Sequence, residues 1–469
     1  MTVPAPTPSR SHGVLFVLVL AVFAYNGLET TLAPAVPLIQ KAVGASTPAI
    51  AWVFTGVLLA GAVATPTIAR LADIRDKRRV LLWVLAIVCV GTIVAALAKS
   101  VLVLTIGQLL QGTGLGLIPL SMGLLRDTQP PSLMKAGNGL IIGVAALSTA
   151  VGLLVAGPIV ARMPYTWLFW FPLALLVVTF VAAWFVVPSC PPAESGRLDW
   201  RGAALLGLGL VVLLVAITKS SSWGWTSGRF LGLVATALVI LALFAVVELR
   251  TEKPLVDLHL MASRSVVLLC VISFVVGFGS FTIFALVPML VQMPVGTGYG
   301  LGGSATVAGL ALVPMGVVGT LVAPLTGRLE SRAGTRAVMV LGTALLALAN
   351  VALLAASQAW VIFVSTALAG AGIGLTLTHV MNIVVASVPG ERTASVSGMT
   401  FVIKAVGGAV GAQVGLGLLA AGGAEVPAWS NFRSAFLVGS AVVVVAALLS
   451  FAFPTRTGTT AQNDVAPAQ

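Results

Sequence analysis

Glu29 is the acidic residue that lies deepest inside an apolar run of this chain. The chain has 13 acidic residues, and the others fall in polar breaks or near the ends of apolar runs. An ionised carboxylate at mid-bilayer costs roughly 2.5–3.5 kcal/mol, so Glu29 is expected to face a protein interior or a wet cavity. Tyr25 and Asn26 precede it by four and three residues, which puts the three side chains on one helix face. This face predicts a cavity wall with Glu29 as proton carrier; the alternative is a structural carboxyl bonded to a neighbouring helix.

Four other polar residues inside apolar runs are candidates for the same cavity or for proton transfer. Lys404 either faces the cavity or extends its ammonium group along the helix to the membrane surface. His379 is a second candidate for proton coupling because imidazole changes charge near neutral pH, although a histidine packed between helices also fits. Gln108 and Gln111 are three residues apart, and such side chains either bridge helices or line a cavity.

An aromatic stripe is formed by four phenylalanines with spacings of four, three and three residues: Phe274, Phe278, Phe281 and Phe284. Such a stripe packs against helices or lipid, or, when it faces a cavity, suits flat apolar ligands. We assign Phe278 and Phe281 to the predicted cavity.

The elements that must position these residues are long apolar helices. The chain is 59% hydrophobic and 8% charged, and its mean hydropathy is +1.10, all outside the range of soluble globular proteins. A helix needs about 20 apolar residues to cross a bilayer. Runs of that length recur along the sequence and predict fourteen transmembrane helices, from residues 13–39 to residues 432–454. The fold class is therefore an all-α integral membrane protein.

Several function classes are excluded by what the sequence lacks. No Gly-Lys dipeptide occurs, so no nucleotide-binding loop of the Walker type is present. The three cysteines are far apart, and no metal-ligand or hydrolase signature appears. We therefore expect no enzyme, no metal and no cofactor. The net charge of +12 is expected to mark cytoplasmic loops rather than nucleic-acid binding.

An internal repeat divides the chain. Three pairs of residues share one offset of 258 positions: Pro66 and Pro324, Arg70 and Arg328, Leu71 and Leu329. Two glycine-rich runs, at 112–116 and 370–374, have the same offset. This offset relates helix 2 to helix 10, a shift of eight helices. The repeat predicts four segments: a six-helix bundle at 1–190, a linker with two inserted helices at 191–260, a second six-helix bundle at 261–456, and a disordered tail at 457–469.

The distribution of basic residues predicts the orientation. Of the 25 lysines and arginines, 18 fall on the side of both termini when the fourteen helices are threaded through a bilayer. Cytoplasmic loops carry such an excess, so both termini are expected in the cytoplasm and the protein in the plasma membrane.

Several stretches resemble the major facilitator superfamily. Residues 70–79, RLADIRDKRR, resemble the signature loop between its second and third helices, and residues 28–37, LETTLAPAVP, resemble the first-helix motif of its fourteen-helix drug:proton antiporters. Residues 197–202, 254–258 and 388–394 are similar to that branch too. The sequence departs from the pattern at Ala69 and Asp76, which replace two loop glycines, and at Gln108, where that branch has an arginine tied to proton coupling.

The resemblance implies a conformational latch and a function. The latch comprises Asp73, Lys77 and Arg78, extended through the repeat to Arg328 and Arg332. The implied function is export of hydrophobic small molecules, such as drugs or natural products, in exchange for protons, by a monomer powered by the proton gradient. Alternatives are a metabolite symporter or uniporter on the same scaffold, or a receptor that transports nothing. A single cavity acid favours cationic or neutral substrates, whereas a lysine in the cavity would favour anionic or zwitterionic ones.

Overall fold

The computed structural model describes residues 8–31, 39, 47–192, 199–251, 256–356, 358–388, 393–420 and 426–451, and all regular structure in these ranges is helical. The predicted tail at 457–469 lies outside them, as do residues 32–37 of the first-helix motif.

The first half of the chain forms six long helices. They are α1 (Pro8–Thr31), α2 (Thr47–Ile74), α3 (Lys77–Ala96), α4 (Val101–Thr128), α5 (Pro131–Arg162) and α6 (Trp167–Val186). A 3₁₀ segment at Gly112–Gly116 interrupts α4. We refer to the end of the bundle that holds the turn between α2 and α3 as the basic end, because Arg70–Arg79 lie there.

Two further helices follow, α7 (Trp200–Trp223) and α8 (Gly228–Leu249), which pack against each other. The Asp199 carboxylate caps α7 by accepting a hydrogen bond from the Arg201 amide, and the Ser227 hydroxyl accepts one from the Phe230 amide at the start of α8. Between them the chain turns at Gly224, whose φ of 81° favours glycine.

The second half contains another six helices. Their bounds are α9 (Arg264–Gln292), α10 (Ala305–Val322, continued to residue 333), α11 (residues 335–352), α12 (Ala359–Ser387), α13 (Thr393–Ala420) and α14 (Trp429–Ser450). Gly334, with φ 82° and ψ 165°, separates α10 from α11 within the stretch Thr326–Ala352.

The predicted helical membrane fold is confirmed. Twelve stretches of the described chain are long and apolar enough to cross a membrane, and one of them, Thr306–Ala355, has 50 residues. Because a helix of that length would measure about 75 Å, more than twice a bilayer core of about 30 Å, this stretch corresponds to two crossings that meet at Gly334. With α2, a helix of 28 residues, the described part contains fourteen spans.

Glycines bring α9 and α13 into backbone contact. A Cβ atom at Gly277 would overlap the Lys404 carbonyl oxygen, and one at Gly407 or Gly411 would overlap a carbonyl oxygen of α9. Small residues at such positions let membrane helices approach closely. These close contacts therefore fix the backbone around Lys404.

The two halves meet along two seams. In the first, α5 packs against α10, and a Cβ atom at Gly143 would lie 2.5 Å from Thr320 Cα. In the second, α2 meets α13 near the basic end, where a Cβ atom at Gly398 would lie 2.8 Å from Ala69 Cβ.

Helix α7 contacts both helices of the second seam. A Cβ atom at Gly207 of α7 would lie 2.8 Å from a methyl group of Val63 in α2. Leu206 and Leu210 share an apolar cluster with Met399 of α13. The inserted pair of helices is thus attached where the halves meet, although the sequence does not specify this attachment.

Candidate functional site

A cavity of about 280 Å³ lies between the two halves of the protein. Its wall is mostly apolar and is built by residues of α1, α2, α4 and α5 from the first half, α7, and α9, α10, α12 and α13 from the second. Among the described residues that line it, the charged ones are Glu29 and Lys404. One site therefore brings together an acid and a base that are 375 positions apart in the sequence.

Glu29 stands on the α1 side of this cavity together with Asn26 and Thr30. The Thr30 hydroxyl lies 3.0 Å from the Asn26 carbonyl oxygen and 3.3 Å from the Thr149 carbonyl oxygen of α5, so this wall is tied to a neighbouring helix. Tyr25 has a different position. It is buried, its ring packs against Gly114 in the 3₁₀ segment of α4, and it is not part of the cavity lining.

Lys404 faces Glu29 from α13. Both residues line the same cavity, yet no ion pair within 4.0 Å joins them among the residues that the structure describes. The Lys404 ammonium nitrogen lies 5.7 Å from the centre of the Phe401 ring. Of the two positions that the sequence left open for this lysine, the structure has the one in the cavity.

The aromatic stripe of α9 is divided between the cavity and the helix packing. Phe281 and Phe284 line the cavity, and their ring centroids are 6.0 Å apart. Phe278 is buried, with its carbonyl oxygen against Gly411 of α13, and it does not line the cavity.

The two glutamines of α4 lie outside the lining. Gln108 and Gln111 are both buried, and the Gln111 backbone packs where a Cβ atom at Gly91 of α3 would lie 3.0 Å away. Burial outside the lining agrees with the packing alternative rather than the cavity.

His379, the second candidate for proton coupling, also lies away from the cavity lining. It is buried in α12, and its Nδ1 atom lies 3.9 Å from a carboxylate oxygen of Glu330 in α10. The sequence indicates no role for Glu330, because this acid stands between two arginines.

At the basic end, polar contacts close the space between the halves. The Ser395 hydroxyl of α13 donates to an Asp73 carboxylate oxygen of α2 at 2.5 Å. Arg126, at the end of α4, donates to the Val388 carbonyl oxygen at 3.1 Å and to the Thr393 hydroxyl. A third link joins α5 to α12, where the Asn138 amide donates to the Asn382 side-chain oxygen at 3.1 Å.

The other predicted latch residues do not bridge the halves. Lys77 forms an ion pair with Asp127 at the end of α4, and Arg78 donates to the Trp184 carbonyl oxygen of α6, so both hold α3 to its own half. The side chains of Arg328 and Arg332 are exposed and have no ion pair with any described residue. The cross-half contacts of Arg126 and Ser395 were missed, because their partners are more than 250 residues away in the sequence.

Asp76 explains one departure from the family pattern. One of its carboxylate oxygens accepts hydrogen bonds from the Arg78 amide at 3.0 Å and the Cys190 amide at 3.1 Å, and the other accepts from the Ser189 hydroxyl at 2.5 Å. The acid that replaces a loop glycine therefore caps α3 and fastens the segment that follows α6.

We expect Asp73→Ala to shift the protein toward a conformation that is open at the basic end. Hydrogen bonds to charged groups contribute about 1.5–3 kcal/mol, so the opening equilibrium should change by about tenfold or more. The measurement is the labelling rate of a cysteine placed at Ser280 in the cavity, with an impermeant maleimide added on the basic side. Asp76→Ala is the matched control, because its hydrogen bonds stay within the first half; equal rates in both variants would contradict the assignment.

Comparisons with known proteins agree with this architecture. The model of the Major Facilitator Superfamily matches residues 18–412 and, in a second match, residues 269–468. An uncharacterised MFS-type transporter of Mycobacterium tuberculosis is 30% identical over 87% of this chain and 59% of its own length, so the chain spans less than two thirds of that relative.

Two further matches extend the comparison. The tetracenomycin C resistance and export protein of Streptomyces glaucescens is 30% identical over 84% of this chain and 73% of its own length. Among solved structures, the human organic anion transporter MFSD10 matches with a TM-score of 0.68 over 95% of this chain and all of its own. Its sequence is 15% identical, so this match concerns the fold alone.

Proposed function

Because this chain belongs to the major facilitator superfamily, a family of membrane transporters and not of enzymes, we propose that it exports hydrophobic small molecules in exchange for protons. The observation that carries the proposal is the central cavity, which is walled by both halves, is largely apolar and contains Glu29. An intramembrane acid that faces such a cavity is by default a candidate for proton transfer. The names of relatives that confer multidrug or tetracenomycin C resistance support export of drugs or natural products.

Alternating access requires two bodies that move against each other around the cavity. We assign these bodies to residues 1–190 and 261–456, with residues 191–260 as the linker that holds α7 and α8. The links at Asp73, Arg126 and Asn138 support a conformation closed at the basic end. We assign this end and both termini to the cytoplasm, and the protein to the plasma membrane, since basic residues concentrate in cytoplasmic loops.

In the proposed cycle, Glu29 receives a proton from outside and releases it inside. Each inward proton releases about 2.3 kcal/mol per 100 mV, which sustains a roughly fifty-fold gradient of a neutral solute exported one for one. His379 is 3.9 Å from Glu330 and outside the cavity lining, so the proposed coupling depends on Glu29. A monomer needs no cofactor for this cycle beyond the proton gradient.

The test is accumulation of a hydrophobic dye without net charge in proteoliposomes whose lumen is more acidic than the medium by about one pH unit. Outward proton flow should drive the dye inward to about a tenfold excess, because one pH unit stores about 1.4 kcal/mol per proton. An ionophore that collapses the gradient should abolish the excess. Equilibration that is independent of pH would instead identify a uniporter, expulsion of the dye a symporter, and the absence of any movement a receptor or scaffold.

A further inference from the structure

Lys404 places a positive charge in the cavity, where it would not favour the binding of a simple lipophilic cation. The residue lines the same cavity as Glu29, and its ammonium group has no ion pair or hydrogen bond with any residue that the structure describes. Burying an ammonium group in an apolar wall is unfavourable unless an anion accompanies it. A negative group of a ligand next to Lys404 would provide that anion.

Lys404 cannot extend its ammonium group as far as the start of α13. It lies eleven residues after Thr393, where α13 begins, and hence about 16 Å along the helix. A four-carbon stem is shorter than that distance. The backbone is fixed as well, because α9 approaches the Lys404 carbonyl so closely that Gly277 has no room for a side chain. The ammonium group is thus held at the depth of the cavity.

Glu29 does not neutralise Lys404 directly, since the two are on different halves and no ion pair within 4.0 Å forms between these described residues. An anionic ligand at Lys404 alone would meet the Glu29 carboxylate across the cavity, and a cationic ligand at Glu29 alone would meet the Lys404 ammonium. Each would leave the cavity with a net charge. A ligand with one charge of each sign can pair with both side chains, and the cavity then has no net charge.

We propose that the substrates of this transporter are hydrophobic zwitterions. Their cationic group lies at Glu29, their carboxylate or phenolate binds Lys404, and a flat apolar body packs against Phe281 and Phe284. This assignment rests on the proposed function, in which the substrate's cationic group takes the place of the proton on Glu29. It goes further by requiring an acidic group on the substrate.

A matched pair of dyes tests the proposal: the free acid of a rhodamine and its methyl ester, which differ in whether the carboxylate is present. Equilibrium binding to the purified protein in detergent, followed by fluorescence anisotropy, needs no gradient. The free acid should bind about tenfold or more tightly than the ester, because a hydrogen bond to a charged group is worth at least that factor. Equal affinities in the wild-type protein would overturn the proposal.

Variants of Lys404 test whether this residue binds the carboxylate of the dye. Lys404→Met should remove the preference for the free acid, whereas Lys404→Arg should keep it. Lys99→Met is the matched control, because it removes the same charge from an exposed residue outside the cavity and should leave the preference unchanged. A neutral apolar dye that binds wild type and Lys404→Met equally shows that the variant is folded. A preference that survives in Lys404→Met would refute the assignment.

A third dye, a fluorescein anion with no cationic group, examines the role of Glu29. It should bind weakly to the wild-type protein and about tenfold more tightly to Glu29→Gln, which lacks the opposing carboxylate. No gain in Glu29→Gln would contradict an anion position next to Lys404. Failure of the free acid to accumulate under a proton gradient, with its binding preference intact, would refute the proposed function alone. Proton-coupled transport without that preference would refute the zwitterion assignment alone.

Discussion

Glu29→Gln is expected to abolish substrate accumulation driven by a proton gradient. The amide keeps the size of the side chain but has no proton to exchange, so a gradient of roughly fifty-fold at 100 mV should fall to none. Exchange of labelled for unlabelled substrate without a gradient should continue but require a higher substrate concentration, because the amide oxygen still accepts a hydrogen bond and the negative charge is lost. Both quantities are measured in the same proteoliposomes, with the orientation of the protein determined by protease accessibility.

The matched control for this prediction is Glu330→Gln. Glu330 is also a buried acid within a long helix, but it lies beside His379 and outside the lining of the cavity. Accumulation should therefore remain in this variant. If Glu330→Gln abolished accumulation and Glu29→Gln did not, proton coupling would belong to the contact between α10 and α12.

Gly407→Ala is expected to destabilise the second half of the protein. A single methyl group at this position would overlap the Phe274 carbonyl oxygen, and backbone atoms cannot move aside as a flexible side chain can. Overpacking of this kind costs about 1–3 kcal/mol or more. The thermal midpoint of the detergent-solubilised protein should fall, and binding at Lys404 should weaken because the same helix turn is displaced.

Gly232→Ala in α8 is the control for that experiment. A Cβ atom there has no neighbour within 4 Å, so the substitution should be neutral or stabilise the helix by up to about 1 kcal/mol. If both variants melted at the same temperature, the close contact between α9 and α13 would not contribute to stability.

The sequence predicted the helical membrane fold because hydrophobic length is a property of each segment by itself. It also predicted that Glu29 would face a cavity, since a lone acid in an apolar helix has few other environments. The same reasoning could not place Lys404, because both of its candidate positions agree with a basic residue within a helix. Only the distance along α13 and the close approach of α9 distinguish them.

Helical spacing gives a face but not the neighbour that the face meets. Phe278 and Phe281 are three residues apart in one stripe, yet Phe281 lines the cavity and Phe278 does not. Tyr25 shares a face with Glu29, but a glycine in α4 makes room for its ring. The position of each depends on a residue distant in sequence, which no local pattern contains.

The contacts that close the basic end show the same limit. Asp73 was predicted from the signature loop, whereas its partner Ser395 and the neighbouring Arg126 had no local signal. Lys77 and Arg78 belong to that loop too, but they pair with Asp127 and Trp184 of their own half. A motif identifies residues that matter together without specifying which of them crosses between the halves.

Helix α7 has a consequence for the route that a substrate can take. Lipid tails are as apolar as leucine, so a hydrophobic molecule gains nothing by staying in an apolar cavity rather than escaping sideways into the bilayer. Leu214 of α7 forms part of the cavity wall beside α2 and α13. We expect α7 to separate this part of the cavity from lipid if the halves part along that seam during transport. Removal of residues 199–251 is therefore expected to let the substrate leak from the cavity into the membrane, while the two halves can still move against each other.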